Sequence, residues 1–153
     1  MNLKIKALIS VARCRMAQAV RAGYARYNDT VHGVRWRWVY YKAASGRVPV
    51  REDIEAQTEE VQERMFRDME RLVEVNVRLG PPYVRKLAGR DFWELRTVVS
   101  GDIYRTFYFA YTGRKFVLLH AYQKKSQKAP KRELDVAEER MKDYQERAGR
   151  SEK

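Results

Sequence analysis

The chain has 153 residues, enough for one compact domain that buries roughly two thirds of the surface its unfolded form exposes. Hydrophobic residues make up 44% and charged residues 34%, which describes a folded core under a charged exterior and excludes a disordered chain. A net charge of +12, from 32 Lys and Arg against 20 Asp and Glu, points to a polyanionic partner, with nucleic acid or a ribosome ahead of an anionic membrane.

The single cysteine, Cys14, excludes an internal disulfide framework and a Cys-rich zinc site, and it suits a reducing cytoplasm, where the protein is expected. His32 and His120 have no metal-ligand spacing, so neither a metal nor a cofactor is expected. The apolar run from Ala7 to Ala12 is too short to span a bilayer, and no membrane partner is expected.

Residues 1–33 form an N-terminal extension. Lys4, Lys6, Arg13, Arg15, Arg21 and Arg26 intersperse Ile5, Leu8, Ile9, Ala12, Met16, Ala19 and Val20 at helical spacing, which predicts a basic amphipathic helix. Its apolar stripe suits docking on its own domain as well as it suits a membrane or RNA surface. From Val34 the pattern alternates: Val34, Trp36, Trp38 and Tyr40 fall on one side, Arg35, Arg37, Val39 and Tyr41 on the other, and a first strand follows. Beyond Ser45-Gly46 and Pro49 the period lengthens. Ile54, Val61, Met65, Met69, Leu72 and Val73 mark one or two helices, closed by Gly80-Pro81-Pro82.

Three strands are expected next, over 92–98, 103–111 and 115–122, joined by Ser100-Gly101-Asp102 and Thr112-Gly113-Arg114 as an antiparallel meander. After Pro130, Leu134, Ala137, Met141 and Tyr144 recur at helical spacing and predict a closing helix. The expected fold is therefore α+β: a small, twisted, mainly antiparallel sheet in the order β-α-α-β-β-β-α over residues 34–147, with a flexible tail at 148–153.

Charge is concentrated between Arg85 and Arg132, where twelve basic residues face three acidic ones. Arg105 shares strand parity with Ile103, Phe107 and Phe109, where a guanidinium is costly without a carboxylate partner or an open groove to receive it. Arg96 shares parity with Phe92, Glu94 and Val98, away from Trp93 and Leu95.

Four ordered motifs carry a family likeness: Pro81-Pro82-Tyr83-Val84-Arg85-Lys86-Leu87, Phe92-Trp93-Glu94-Leu95-Arg96, Ile103-Tyr104-Arg105-Thr106-Phe107-Tyr108-Phe109, and Tyr122-Gln123-Lys124-Lys125-Ser126-Gln127-Lys128-Ala129-Pro130 with Glu133. Together they resemble the phage-derived HigB-like branch of the RelE/ParE toxins, over residues 35–147. The resemblance implies a RelE-like sheet and a type II toxin that cleaves mRNA on the ribosome without metal. It also implies an antitoxin partner, typically one with a helix-turn-helix DNA-binding domain. Arg96 looks like the family's basic position on the second strand, Arg105 like the arginine on the third, and Lys124, Lys125 and Lys128 occupy the basic segment after the last strand. The C-terminal tyrosine of RelE itself has no counterpart; the comparable place is near Lys131, and Tyr144 lies too far along.

In such a reaction Arg96 and Arg105 suit the stabilisation of charge on the attacked phosphate. Lys125 or Lys128, crowded by other cations, is a candidate general base. His120 is a further acid or base candidate, and Tyr122 or Tyr104 a platform for a base. Arg85, Lys86, Arg90, Lys124, Gln127 and Lys131 are expected to contact RNA. Two other readings stay open: a ParE-like inhibitor of DNA gyrase that acts by binding, and a catalytically inactive RNA-binding relative.

The N-terminal extension holds none of the four motifs, and Asn28-Asp29-Thr30 with His32-Gly33 reads as a linker. Deleting residues 1–30 is therefore expected to leave a domain that folds and cuts RNA. A truncated chain that aggregates, or melts far below the full-length protein, would instead place Leu8, Ile9, Met16 and Val20 in the core, at about 1.5–3 kcal/mol for each large side chain exposed.

Overall fold

The computed structural model describes residues 36–127 and 129–151, so the expected N-terminal helix lies outside the described residues. The elements in chain order are β1 (Arg37–Tyr40), α1 (Pro49–Glu55), α2 (Glu59–Val75), a 3-10 turn (Asn76–Arg78), β2 (Val84–Lys86), β3 (Trp93–Val99), β4 (Asp102–Tyr111), β5 (Lys115–Lys124) and α3 (Lys131–Ser151). One mixed sheet orders the strands β1-β5-β4-β3-β2; β1 runs parallel to β5 and every other pair is antiparallel.

Local chemistry accounts for the helix starts. Pro49 occupies the first turn of α1, where its missing N–H costs no hydrogen bond. The Thr58 hydroxyl accepts from the Val61 amide at the start of α2. The apolar residues Val61, Met65, Met69 and Leu72 then form one stripe, which packs with Ile54, Trp38, Leu95, Tyr108 and Phe116 as the core on one sheet face. On the other face, α3 lays Ala137 and Met141, flanked by Leu134 and Tyr144, over Phe92, Phe107, Phe109, Val117 and Leu119. The far end of α3 is tied to the chain after β1: Asp143 accepts from the Tyr41 hydroxyl at 2.6 Å, and Arg147 donates both to Asp143 and to the Lys42 carbonyl.

The β3–β4 connection is a two-residue hairpin turn in which Ser100 (φ 49°) and Gly101 (φ 88°) both take positive φ, the twist that suits right-handed strands. On β5 the alternation breaks. Leu118 pairs with Tyr108 and His120 with Phe107, so Leu119 is an extra residue with no partner of its own. Leu119 joins the α3-side core, yet His120 and Tyr122 also come to that side, packed against Phe107.

The expected order needs three corrections. A fifth strand, β2, precedes the meander; three residues are too few to display a period, and they form a strand only because Val84, Arg85 and Lys86 pair with Leu95, Glu94 and Trp93. Helix α2 ends at Val75, ahead of Gly80-Pro81-Pro82, because Asn76 takes φ 55° and leaves the helical region. Helix α3 runs on to Ser151, so most of the expected tail is helical.

Phe107 is fully buried at the centre of the α3-side core, with its ring centroid 5.5 Å from that of Phe92 and 5.4 Å from that of Tyr122. Phe107→Ala is expected to lower the unfolding free energy by about 3–5 kcal/mol, as read by chemical denaturation.

Candidate nucleic-acid interface

The strand register stacks the sequence-predicted residues into cross-strand rows on the α3 side of the sheet. Arg85 is opposite Glu94, Glu94 opposite Phe107, and Phe107 opposite His120. In the next row Arg96 faces Arg105, and Arg105 faces Tyr122. A third row joins Val98, Ile103 and Lys124. Arg96 is exposed, and Val98, at 41% exposure, is among the most open large apolar residues. Arg85, Arg96, Arg105, His120, Tyr122 and Lys124, which stand on four strands, thus share one surface.

Arg105 is only 4% exposed and Glu94 only 3%. Arg105 Nη1 lies 3.3 Å from Glu94 Oε2, and the same carboxylate oxygen receives Arg85 Nη2 at 3.4 Å. Of the two ways to receive a guanidinium at this position, a partner or an open groove, the structure supplies a carboxylate partner. It does not satisfy the guanidinium: Arg105 Nε and Nη1 and the Tyr122 hydroxyl find no hydrogen bond of good geometry among the protein groups. Burial pushes the Tyr122 hydroxyl above its ordinary pKa, with the neighbouring Arg105 charge opposing.

The electrostatics are unbalanced. Like charges directly opposite on neighbouring strands cost stability, and here Arg96 is paired with Arg105. Glu94 is one carboxylate among three guanidiniums, those of Arg85, Arg96 and Arg105. An anion such as a phosphate, accepting from the guanidinium donors, would complete the cluster.

His120 is held on both nitrogens. Arg140 Nη1 lies 3.1 Å from Nδ1 and 2.8 Å from the Leu119 carbonyl. A guanidinium only donates, so Nδ1 accepts and the ring proton sits on Nε2, where it is donated to the Glu133 carboxylate. Asp53 of α1 comes within 3.8 Å of Nδ1. Burial pushes the Asp53 carboxyl up, against the pull of His120 and Arg140, and burial likewise works against the charge of Arg140. The His120 ring stacks on Tyr122, with centroids 5.8 Å apart and planes 17° from parallel.

Other predicted residues lie apart from these rows. Lys86 falls on the opposite face, over the Trp93 ring at 5.7 Å. Arg90 is bound to α3 through Asp135 at 3.1 Å and through Glu138. Lys125 and Gln127 are exposed in the segment after β5, with Lys124 Nζ 3.5 Å from Gln127 Oε1, and Lys131 is exposed at the start of α3. Tyr104 is buried in the core against α1 and α2, away from this surface. Lys128 lies outside the described residues.

Sequence reasoning passed over Arg140 and Asp53 and gave Glu94 and Glu133 no role. Glu94 carried a signal, two residues before Arg96 and so on the same strand face. Glu133 and Arg140, seven apart on a helix, share a face with Leu134, Ala137 and Met141, an apolar stripe where charges need partners. Among the described residues there is no group of three or more side chains suited to hold a metal ion, and no helix long and apolar enough to cross a membrane.

A family model described as phage-derived protein Gp49-like (DUF891) matches residues 52–142. The match takes in the chain from within α1 to within α3, and with it every row of the site. No curated protein matches the chain.

Removing one member of the buried pair leaves the other charge uncompensated. Arg105→Ala and Glu94→Ala are each expected to cost about 3–5 kcal/mol in urea unfolding, and Arg105→Met combined with Glu94→Leu to regain most of that loss. Single variants as stable as the parent would show that the pair does not carry the local fold.

Proposed function

The chain belongs to the phage-derived Gp49-like family, a RelE/ParE-like toxin family of toxin–antitoxin systems, and from that membership we propose that it is the toxin of a type II pair, an endoribonuclease that cuts mRNA on the ribosome. The observation that carries this reading is the pairing of Arg85 and Arg105 with the one carboxylate of Glu94, with Arg96 directly across from Arg105, on a sheet face that α3 leaves partly open.

Cleavage by the RNA's own 2′-hydroxyl needs the extra charge on the five-coordinate phosphorus to be stabilised. Arg96, exposed, is the guanidinium that reaches the phosphate. Arg105, buried and directly across the strand from it, adds a fixed positive charge to the field at that phosphate. Tyr122 offers its ring to a base or ribose beside them. Lys124, Lys125, Gln127 and Lys131 line the approach of the backbone; Lys128 belongs to the same stretch of sequence. Lys86 stands on the opposite face over Trp93, and Arg90 is paired with Asp135 and Glu138 of α3, so both are set apart from these rows.

The family also implies a cognate antitoxin, which we take to be a helix-turn-helix DNA-binding protein that masks this basic surface. An endonuclease reading requires the cations to act on the reacting phosphate, whereas inhibition of DNA gyrase requires a binding surface alone. Mapping mRNA 5′ ends in a translating extract, with a gyrase supercoiling assay in parallel, separates the two.

The parent chain is expected to produce new mRNA ends and to leave supercoiling untouched. Arg96→Ala is expected to slow cleavage by about 10²–10³-fold with the fold intact. Replacing Lys124, Lys125 and Lys128 together by Ala should weaken ribosome association and reduce its salt dependence, by about 0.7 in the log–log slope for each single-strand phosphate that the lysines no longer neutralise. Inhibited gyrase with intact mRNA would overturn the reading.

A further inference from the structure

The His120, Glu133 and Arg140 cluster has a chemistry that the phosphate-binding cations do not supply. We infer that Glu133 is the general base of this site, a role that rests on the proposed cleavage reaction, with His120 and Arg140 as the residues that position it.

Glu133 lies in the first turn of α3, where the free amide groups and the helix dipole favour a carboxylate. It is only partly buried, its side chain 25% exposed, so a substrate can reach it. His120 donates to Oε2, which leaves Oε1 for a substrate proton. Arg140 fixes the arrangement from behind: by donating to Nδ1 and to the Leu119 carbonyl, it sets both the tautomer and the angle of the ring. A carboxylate held in this way is preorganised. Lys125, by contrast, stands exposed in the segment beyond β5.

The placement fits the reaction. His120 and Tyr122 are successive residues on one face of β5, and Tyr122 is directly opposite Arg105, with Arg96 next in the row. One strand repeat, about 6.7 Å, separates the row of His120 from the row of the two arginines. Across the sheet Arg105 stands one strand and Arg96 two strands from Tyr122, about 5 and 10 Å, so a 2′-hydroxyl hydrogen-bonded to Glu133 puts its 3′-phosphate on the Arg105 side, with Arg96 reaching it through the length of its side chain. In the step, Glu133 takes the proton of the 2′-hydroxyl and the 2′-oxygen bonds to phosphorus. The bond from phosphorus to the 5′-oxygen then breaks, and the leaving oxygen takes a proton from solvent water. The products are a 2′,3′-cyclic phosphate and a 5′-hydroxyl.

A purely structural Glu133, clamping α3 to β5 through His120, makes the opposite prediction for one conservative change. Gln at this position still accepts from His120 but cannot take a proton. Full-length chain carrying Glu133→Gln, assayed on translating ribosomes between about pH 5 and pH 8, is expected to cut about 10²–10⁴-fold more slowly. Its ribosome binding and melting temperature should match the parent, and the fall in rate on the acid side should disappear. His120→Gln, which disturbs only the positioning, is expected to lose less rate and to keep the acid-side fall. Should Glu133→Gln fail to fold, Glu133→Asp keeps the charge and withdraws the carboxylate by one methylene; a slowed rate with normal ribosome binding supports the role. A parent that cuts while Glu133→Gln or Glu133→Asp cuts equally well overturns the role alone. A parent that cuts nothing overturns the proposed activity and this role with it.

Discussion

A guanidinium inside a sheet is tolerated only where other groups receive its charge, and the arrangement of the site follows from how Arg105 meets that condition. It pairs with Glu94, but Glu94 also serves Arg85, and Arg96 stands directly across the strand. Arg85 and Arg96 keep their solvent, so Glu94 chiefly offsets the burial of Arg105, and the two exposed guanidiniums leave an excess of positive charge at the surface beside it.

The two faces of the sheet divide the work. Helices α1 and α2 cover one face, with Trp38, Tyr104, Tyr108 and Leu118 beneath them, and leave the strands little freedom. On the other face α3 packs over Phe107, Phe109, Val117 and Leu119, while Arg96 and Val98 stay exposed on the same side. The partial cover creates a boundary where an apolar core meets a charged surface, and the half-buried His120, Tyr122 and Glu133 stand on that boundary. Fixed dipoles and charges act most strongly in such a place, shielded from bulk water on one side and open to a ligand on the other.

Much of this was legible in the sequence because it depends on period and charge. The alternation through Trp36, Trp38 and Tyr40 and the helical stripe from Ile54 to Leu72 both mark the face that enters the first core. The parity of Arg96 and Arg105 placed them on their common surface, since both strands keep strict alternation. What could not be read depends on pairing. Strand β2 has no period of its own, and the carboxylate that receives Arg105 is identified only by the β3–β4 register. Helix boundaries at Asn76 and Ser151 turn on single backbone angles and on the Asp143 and Arg147 anchor, neither of which leaves a pattern in composition.

The bulge on β5 was the least legible feature, and the site depends on it most. Phe116, Val117, Leu118 and Leu119 form an unbroken apolar run, so no polar residue marks which position is the extra one. In a regular strand the parity of Val117 would carry His120 to the face covered by α1 and α2, with Tyr122 and Lys124 beside it. The unpaired Leu119 shifts all three to the side of Arg96 and Arg105 and fills the α3-side core as it does so. Its carbonyl also receives Arg140, so the distortion that turns His120 toward Glu133 supplies one of the contacts that hold the histidine there. A single inserted residue thus couples the packing of α3 to the geometry of the site, which is why the cations of β3 and β4 and the polar groups of β5 and α3 meet on one surface.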